Sequence, residues 1–86
     1  MKLTPEQIQA IRSLPPNVGP NRLRVAFAMS GARQVDACEA IGLRANQVSS
    51  LVKGDYKSVS VDIARALADF FGCAIEDLFP AKSEVA

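Results

Sequence analysis

The chain of 86 residues contains no histidine and no tryptophan, and only one tyrosine, four phenylalanines and two cysteines. Without histidine, the commonest general base and the commonest metal ligand are both missing. Cys38 and Cys73 cannot form a zinc site without it, and two thiols are too few for a disulfide scaffold. Both read as small buried hydrophobes. Long apolar runs are absent as well. The longest unbroken one is Val25 to Met29, far short of a membrane span. The opening Met1-Lys2-Leu3-Thr4-Pro5-Glu6 lacks the apolar stretch of a signal peptide. Charge of either sign is hardly in excess, with ten Lys plus Arg against nine Asp plus Glu. The expectation is a soluble, cytoplasmic chain with no cofactor, no metal, no membrane association and no enzymatic role.

What is present is an apolar content of 49%, enough for one folded domain and too little chain for a second core. A chain of this size buries about 60–65% of its unfolded surface, so its stability is modest or shared with a partner subunit. The five glycines, at 19, 31, 42, 54 and 72, each stand at a break in an apolar pattern. Such spacing suits short helices ended by left-handed residues. Thr4-Pro5-Glu6-Gln7 reads as a capping box that starts a helix with Ile8, Ile11 and Leu14 on one face. That helix stops at Pro15-Pro16, where residues 15–20 form a Pro-rich connector. Asn21 is expected to cap a helix from Arg22 to about Ser30, followed by helices over 34–41 and 45–52. Asp55 to Val59 reads as a polar loop. Ser60 caps a helix running to Phe71, and a short turn over 75–79 ends at Pro80. Residues 81–86 form a frayed tail. Strand signals are absent, so the class is all-α.

The informative stretch is Gln34-Val35-Asp36-Ala37-Cys38-Glu39-Ala40-Ile41-Gly42-Leu43-Arg44-Ala45-Asn46-Gln47-Val48-Ser49-Ser50-Leu51. Two helices crossing steeply over a short turn need a small residue at the crossing and a left-handed residue in the turn. Cys38 and Gly42 supply them, while Ala37, Ile41, Leu43, Val48 and Leu51 face a shared core. With Asn21-Arg22-Leu23-Arg24 before it and Lys53-Gly54, Ser60-Val61-Asp62, Leu67 to Gly72 and Glu76 to Pro80 after it, the chain resembles the lambda-repressor-like (XRE-type) helix-turn-helix family. The resemblance covers about 60 residues. It implies a compact five-helix domain over 21–80, here with an additional short N-terminal helix within 1–20, and binding to double-stranded DNA.

Position by position, the resemblance places Gln34 on a phosphate at the start of the first helix of the motif. Ala45, Asn46, Gln47, Ser49 and Ser50 fall on the base-reading face of the recognition helix, where Asn or Gln can pair with adenine. Arg44, Lys53, Tyr56 and Lys57 fall where the family grips the DNA backbone. Arg44 stands where many relatives carry a Ser or Thr cap, so that cap is weakened. Phe27 and Val52 replace a buried arginine–glutamate pair of many relatives, a swap that is often neutral or stabilising. The implied function is a transcriptional regulator, a repressor that occupies a palindromic operator as a homodimer. The alternatives are an antitoxin or restriction–modification controller of the same fold, with a protein partner held through residues 1–20, or a protein-interaction module that has lost DNA contact.

Two further expectations concern the ends of the chain. The Ile8, Ile11 and Leu14 stripe is too short to stand alone and should dock on Val25, Ala28 and Met29, within the chain or across a dimer. The competing reading is a loose arm that touches the DNA backbone through Lys2 and Arg12. The near-neutral total also hides polarity: residues 20–58 carry six cations against three acids, and residues 59–86 carry two against five. Asp62, Asp69, Glu76 and Asp77 are read as helix-dipole and solubility residues rather than a carboxylate site.

Overall fold

The computed structural model describes residues 2–15 and 21–80. Gly19, most of the Pro-rich connector and the tail over 81–86 lie outside the described residues. Among the described residues six helices follow one another: α1 (Pro5–Arg12), α2 (Leu23–Ser30), α3 (Gln34–Ile41), α4 (Ala45–Lys53), α5 (Val61–Phe71) and α6 (Ile75–Leu78). The all-α class and the extra N-terminal helix therefore stand. Among the described residues no helix is long and apolar enough to cross a membrane.

The helix starts follow two designs. Thr4 and Ser60 cap α1 and α5 with their own hydroxyls, which accept from the N–H groups of Gln7 and Ile63. Thr4 also donates its N–H to the Gln7 side chain at 2.9 Å, closing the box read from the sequence. Arg33, Arg44 and Ala74 begin α3, α4 and α6 with side chains that contain no acceptor. There only the reciprocal half of the box forms. Asp36, Gln47 and Asp77 take the N–H of Arg33, Arg44 and Ala74 at 2.9, 2.9 and 3.0 Å. Gly31, Gly42, Gly54 and Gly72 close α2 to α5 in the left-handed conformation.

The core is built around α5. Its Ala64, Leu67, Ala68 and Phe71 are buried and recur at helical spacing. Phe71 meets Phe27 of α2 and its neighbour Phe70 edge-on, with ring centroids 5.1 and 5.0 Å apart. Such pairs add about 0.5–1.5 kcal/mol each beyond their burial. Phe27 and Val52 are both core residues, so apolar packing occupies the positions where many relatives hold an ion pair. Val59 is buried too, against its reading as part of a polar loop. Its apolar side chain closes the core beneath the turn between α4 and α5.

The N-terminal helix docks within the chain. Ile11 is fully buried and Leu3 nearly so, and both belong to the common core. Val25 and Met29 are partly buried against that core, whereas Ala28 remains exposed. The segment also donates to carbonyls at helix ends. Leu3 donates its N–H to Phe71 O at 2.7 Å and the Lys2 ammonium donates to Asp69 O at 2.8 Å, at the end of α5. A side chain on Gly72 would collide with Lys2, since a Cβ there would lie 2.9 Å from Lys2 Cδ. Gln7 donates to Met29 O at 2.8 Å, at the end of α2.

Candidate nucleic-acid interface

The turn between α3 and α4 depends on Gly42, whose φ of 83° would strain any residue with a Cβ. The N–H groups of Gly42 and Leu43 both donate to Cys38 O, at 2.8 and 3.2 Å, and the chain reverses into α4 within three residues. Ala37, Val48, Leu51 and Val52 are buried where the two helices meet the core. Cys38, placed at the crossing by the sequence pattern, is only half-buried; the fully buried small residue is its neighbour Ala37.

Burying Val48, Leu51 and Val52 forces the opposite side of α4 outward. Ala45, Asn46, Gln47 and Lys53 are exposed, and Ser49 and Ser50 are half-buried. Asn46, Gln47 and Ser50 share a shallow open groove of about 240 Å³ with Leu43, Leu51 and Ile63 of α5. Gln34, the first residue of α3, is also exposed, as are Arg44 and Lys57. Asn46 makes no hydrogen bond among the described residues, whereas Gln47 already spends its carbonyl oxygen on the Arg44 N–H.

The far end of α4 is held by a residue whose role the sequence did not reveal. Asn21, 6% exposed, was expected to cap α2. Its Oδ1 does accept the Leu23 N–H at 3.0 Å, although the backbone cap is Arg22. The other half of the same amide donates to Leu51 O at 2.7 Å and to the Tyr56 hydroxyl at 3.0 Å. One buried side chain thus ties the start of α2, the last turn of α4 and the following loop together. Tyr56 is drawn inward by it and packs partly against the core, while Lys53 and Lys57 on either side stay in solvent.

A family model described as the Cro/C1-type HTH (helix-turn-helix) DNA-binding domain matches residues 22–83. The chain belongs to this family. No curated protein and no solved structure matches it.

The charges of this Cro/C1-type domain divide into two sets. Lys2, Arg12 and Arg22 are consumed inside the molecule. Arg12 donates to both oxygens of Asp77, at 2.7 and 3.2 Å, and Asp77 is only 5% exposed. That bond holds the Asp77 carboxyl below its usual range, against the opposing effect of burial, and raises Arg12 in turn. Arg22, 8% exposed, donates to Ile11 O, to Leu14 O at 3.2 Å and to Pro15 O at 3.4 Å, closing the end of α1. The loose-arm reading of Lys2 and Arg12 therefore gives way to a docked one. Nearby, burial first and Asp77 second push the Cys73 thiol up to about 11, so it stays protonated and unreactive at neutral pH. Arg24, Arg44, Lys53 and Lys57, by contrast, are exposed and make no ion pair among the described residues. Arg33 lies 3.7 Å from Asp36, a loose surface pair of little energetic weight.

Proposed function

We propose that the chain is a sequence-specific, double-stranded DNA-binding transcriptional regulator that acts as a repressor, binding a palindromic operator as a homodimer. The observation that carries this reading is the polar, outward side of α4. Ala45, Asn46 and Gln47 open the helix at the exposed end, and unpaired Arg44, Lys53 and Lys57 bracket it. In this reading α4 enters the major groove, with Asn46, Gln47, Ser49 and Ser50 against base edges and the Ala45 methyl near a thymine methyl. Gln34 offers its side chain and the N-terminus of α3 to a phosphate, and Arg44, Lys53, Tyr56 and Lys57 hold the backbone on either side. Two copies would place their α4 helices about 34 Å apart in successive major grooves, and bound protein would block a promoter sterically. Residues 1–20 serve as a structural extension of the 21–80 domain.

The test is selection from random duplexes by the full chain at two salt concentrations, followed by sizing of the complex. The expected result is a two-fold symmetric motif, two protomers per duplex and steep weakening with salt. A chain that shifts no duplex at low salt and instead co-purifies with another protein would overturn the reading.

A further inference from the structure

We infer that Gln47 presents a donor-only amide to DNA and therefore selects guanine, not adenine, at the base pair it faces. The inference rests on the DNA-binding reading and deepens it. A glutamine that pairs with adenine needs both halves of its amide: Oε1 accepts from N6–H while Nε2 donates to N7. In this chain Oε1 is already taken, because it accepts the Arg44 N–H at 2.9 Å. That bond is not incidental. Arg44 is the N-cap of α4, and Gln47, three residues on, holds its N–H as the reciprocal half of a capping box. Thr4 and Gln7 at α1 show the same bond: Gln7 Oε1 accepts the Thr4 N–H at 2.9 Å, and the Gln7 NH₂ is left to donate to Met29 O.

With Oε1 held on the helix start, the free half of the Gln47 amide is its NH₂. Guanine offers two adjacent major-groove acceptors, O6 and N7, and no donor on that edge. Adenine sets its N6–H₂ donor against the same NH₂. Asn46, one residue earlier, has a side chain with no hydrogen bond among the described residues and keeps both amide halves for an adenine. Two neighbouring amides on one helix turn thereby read different purines. The backbone N–H of residue 44 acts on base choice through Gln47, without touching the base.

The test uses the backbone atom on which the inference depends. The Arg44 φ of −84° and ψ of 155° lie in the extended range that proline tolerates. Arg44→Pro therefore deletes the N–H that holds Gln47, while Arg44→Ala deletes the same charge and keeps that N–H. The base pair read by Gln47 is located as the one whose preference disappears in Gln47→Ala. For the full chain, guanine there should exceed adenine in affinity by about 10-fold. Inosine in place of that guanine should bind equally, and 7-deazaguanine should cost most of the preference. Arg44→Ala should retain the guanine preference and Arg44→Pro should relax it towards adenine. Adenine selected by the parent chain, or indifference to 7-deazaguanine, would overturn the inference while leaving DNA binding intact. Absence of any duplex binding by the parent chain would overturn the functional reading itself. If Arg44→Pro fails to melt cooperatively, Gln47→Glu replaces it: a carboxylate keeps the cap acceptor but has no donor. The guanine-to-adenine ratio should then collapse, and a retained ratio would overturn the inference.

Discussion

The two ends of this small domain use their cations in opposite ways. Around α1 and α6, Lys2, Arg12 and Arg22 are turned inward onto carbonyls and a buried carboxylate. Around α4, Arg44, Lys53 and Lys57 are left in solvent with no ion pair among the described residues. A formal charge of +1 does not distinguish these uses. The first set gives donors to carbonyls and to Asp77 before any polyanion is met, and Arg22 is buried in doing so. The second is free for one, and it lies on the side where the HTH helices expose their polar residues. The comparison teaches that affinity for a phosphate backbone depends on which cations remain unspent after folding.

Substitutions at the N-terminal end should break stability and spare recognition. Ile11→Ala empties a fully buried site in the common core. It should cost about 2–5 kcal/mol and lower Tm by roughly 10 °C or more, while the folded protein keeps its DNA preference. Thermal melts paired with binding at a temperature where both chains are folded check this. A cooperative melt at the parent Tm would contradict the shared core.

At the other end, Asn46→Ala should leave the melt alone and lose about 1–3 kcal/mol of discrimination at one base pair. Lys57→Ala should weaken binding to every duplex alike and make the salt dependence shallower by about one ion. If Asn46→Ala lowers Tm as much as Ile11→Ala does, the division between the two regions is wrong. Asn21→Ser lies across that division. It strips a buried amide from the Tyr56 hydroxyl and from Leu51 O, which keeps the Gly54 N–H, and should cost about 0.5–1.5 kcal/mol for each lost bond. Amide exchange should quicken over 54–58 more than in α1, and DNA affinity should fall with it. Equal exchange in both regions would reduce Asn21 to a general packing residue.

The smallest effect expected is one of pH. The folded Asp77 carboxyl titrates below its ordinary 3.8, so its contribution to stability is complete above that value. The contribution is lost as pH falls through the lower, folded value. Arg12 stays charged throughout, so its own upward shift plays no part at acid pH. Arg12→Ala should therefore lower Tm near neutrality and make the acid decline gentler, with the two chains converging once Asp77 is protonated in both. Parallel Tm curves for the two chains would remove the pair from the acid response.

Local rules were legible in the residue order. The Thr4–Gln7 box, the Ser60 cap, the Gly42 turn and the apolar spacing of α5 each involve residues within one helix length of one another. The outward face of α4 was legible for the same reason. Asn21, Arg22 and Asp77 were not, because their partners lie elsewhere along the chain. Asn21 does perform the local capping expected of it, and nothing local hints at Leu51 O. Arg22 counts as one more cation of a basic segment until the end of α1 is beside it. Asp77 resembles any acid in a first turn, which it is, before Arg12 arrives from the far end of the sequence. Tyr56 and Val59 sit among polar neighbours, and only the closed core shows that they point inward.

The docking of α1 has a consequence for how the chain is made. Leu3 bonds Phe71, Lys2 bonds Asp69 and Arg12 bonds Asp77, so α1 and the residues before it find partners that are synthesised long after them. During translation α3 and α4 can meet soon after they emerge, because they are adjacent. The first helix must wait, with Ile11 uncovered, until α5 and α6 have left the ribosome. Contacts of such long sequence separation close slowly, and an apolar helix held open meanwhile is where a nascent chain associates wrongly.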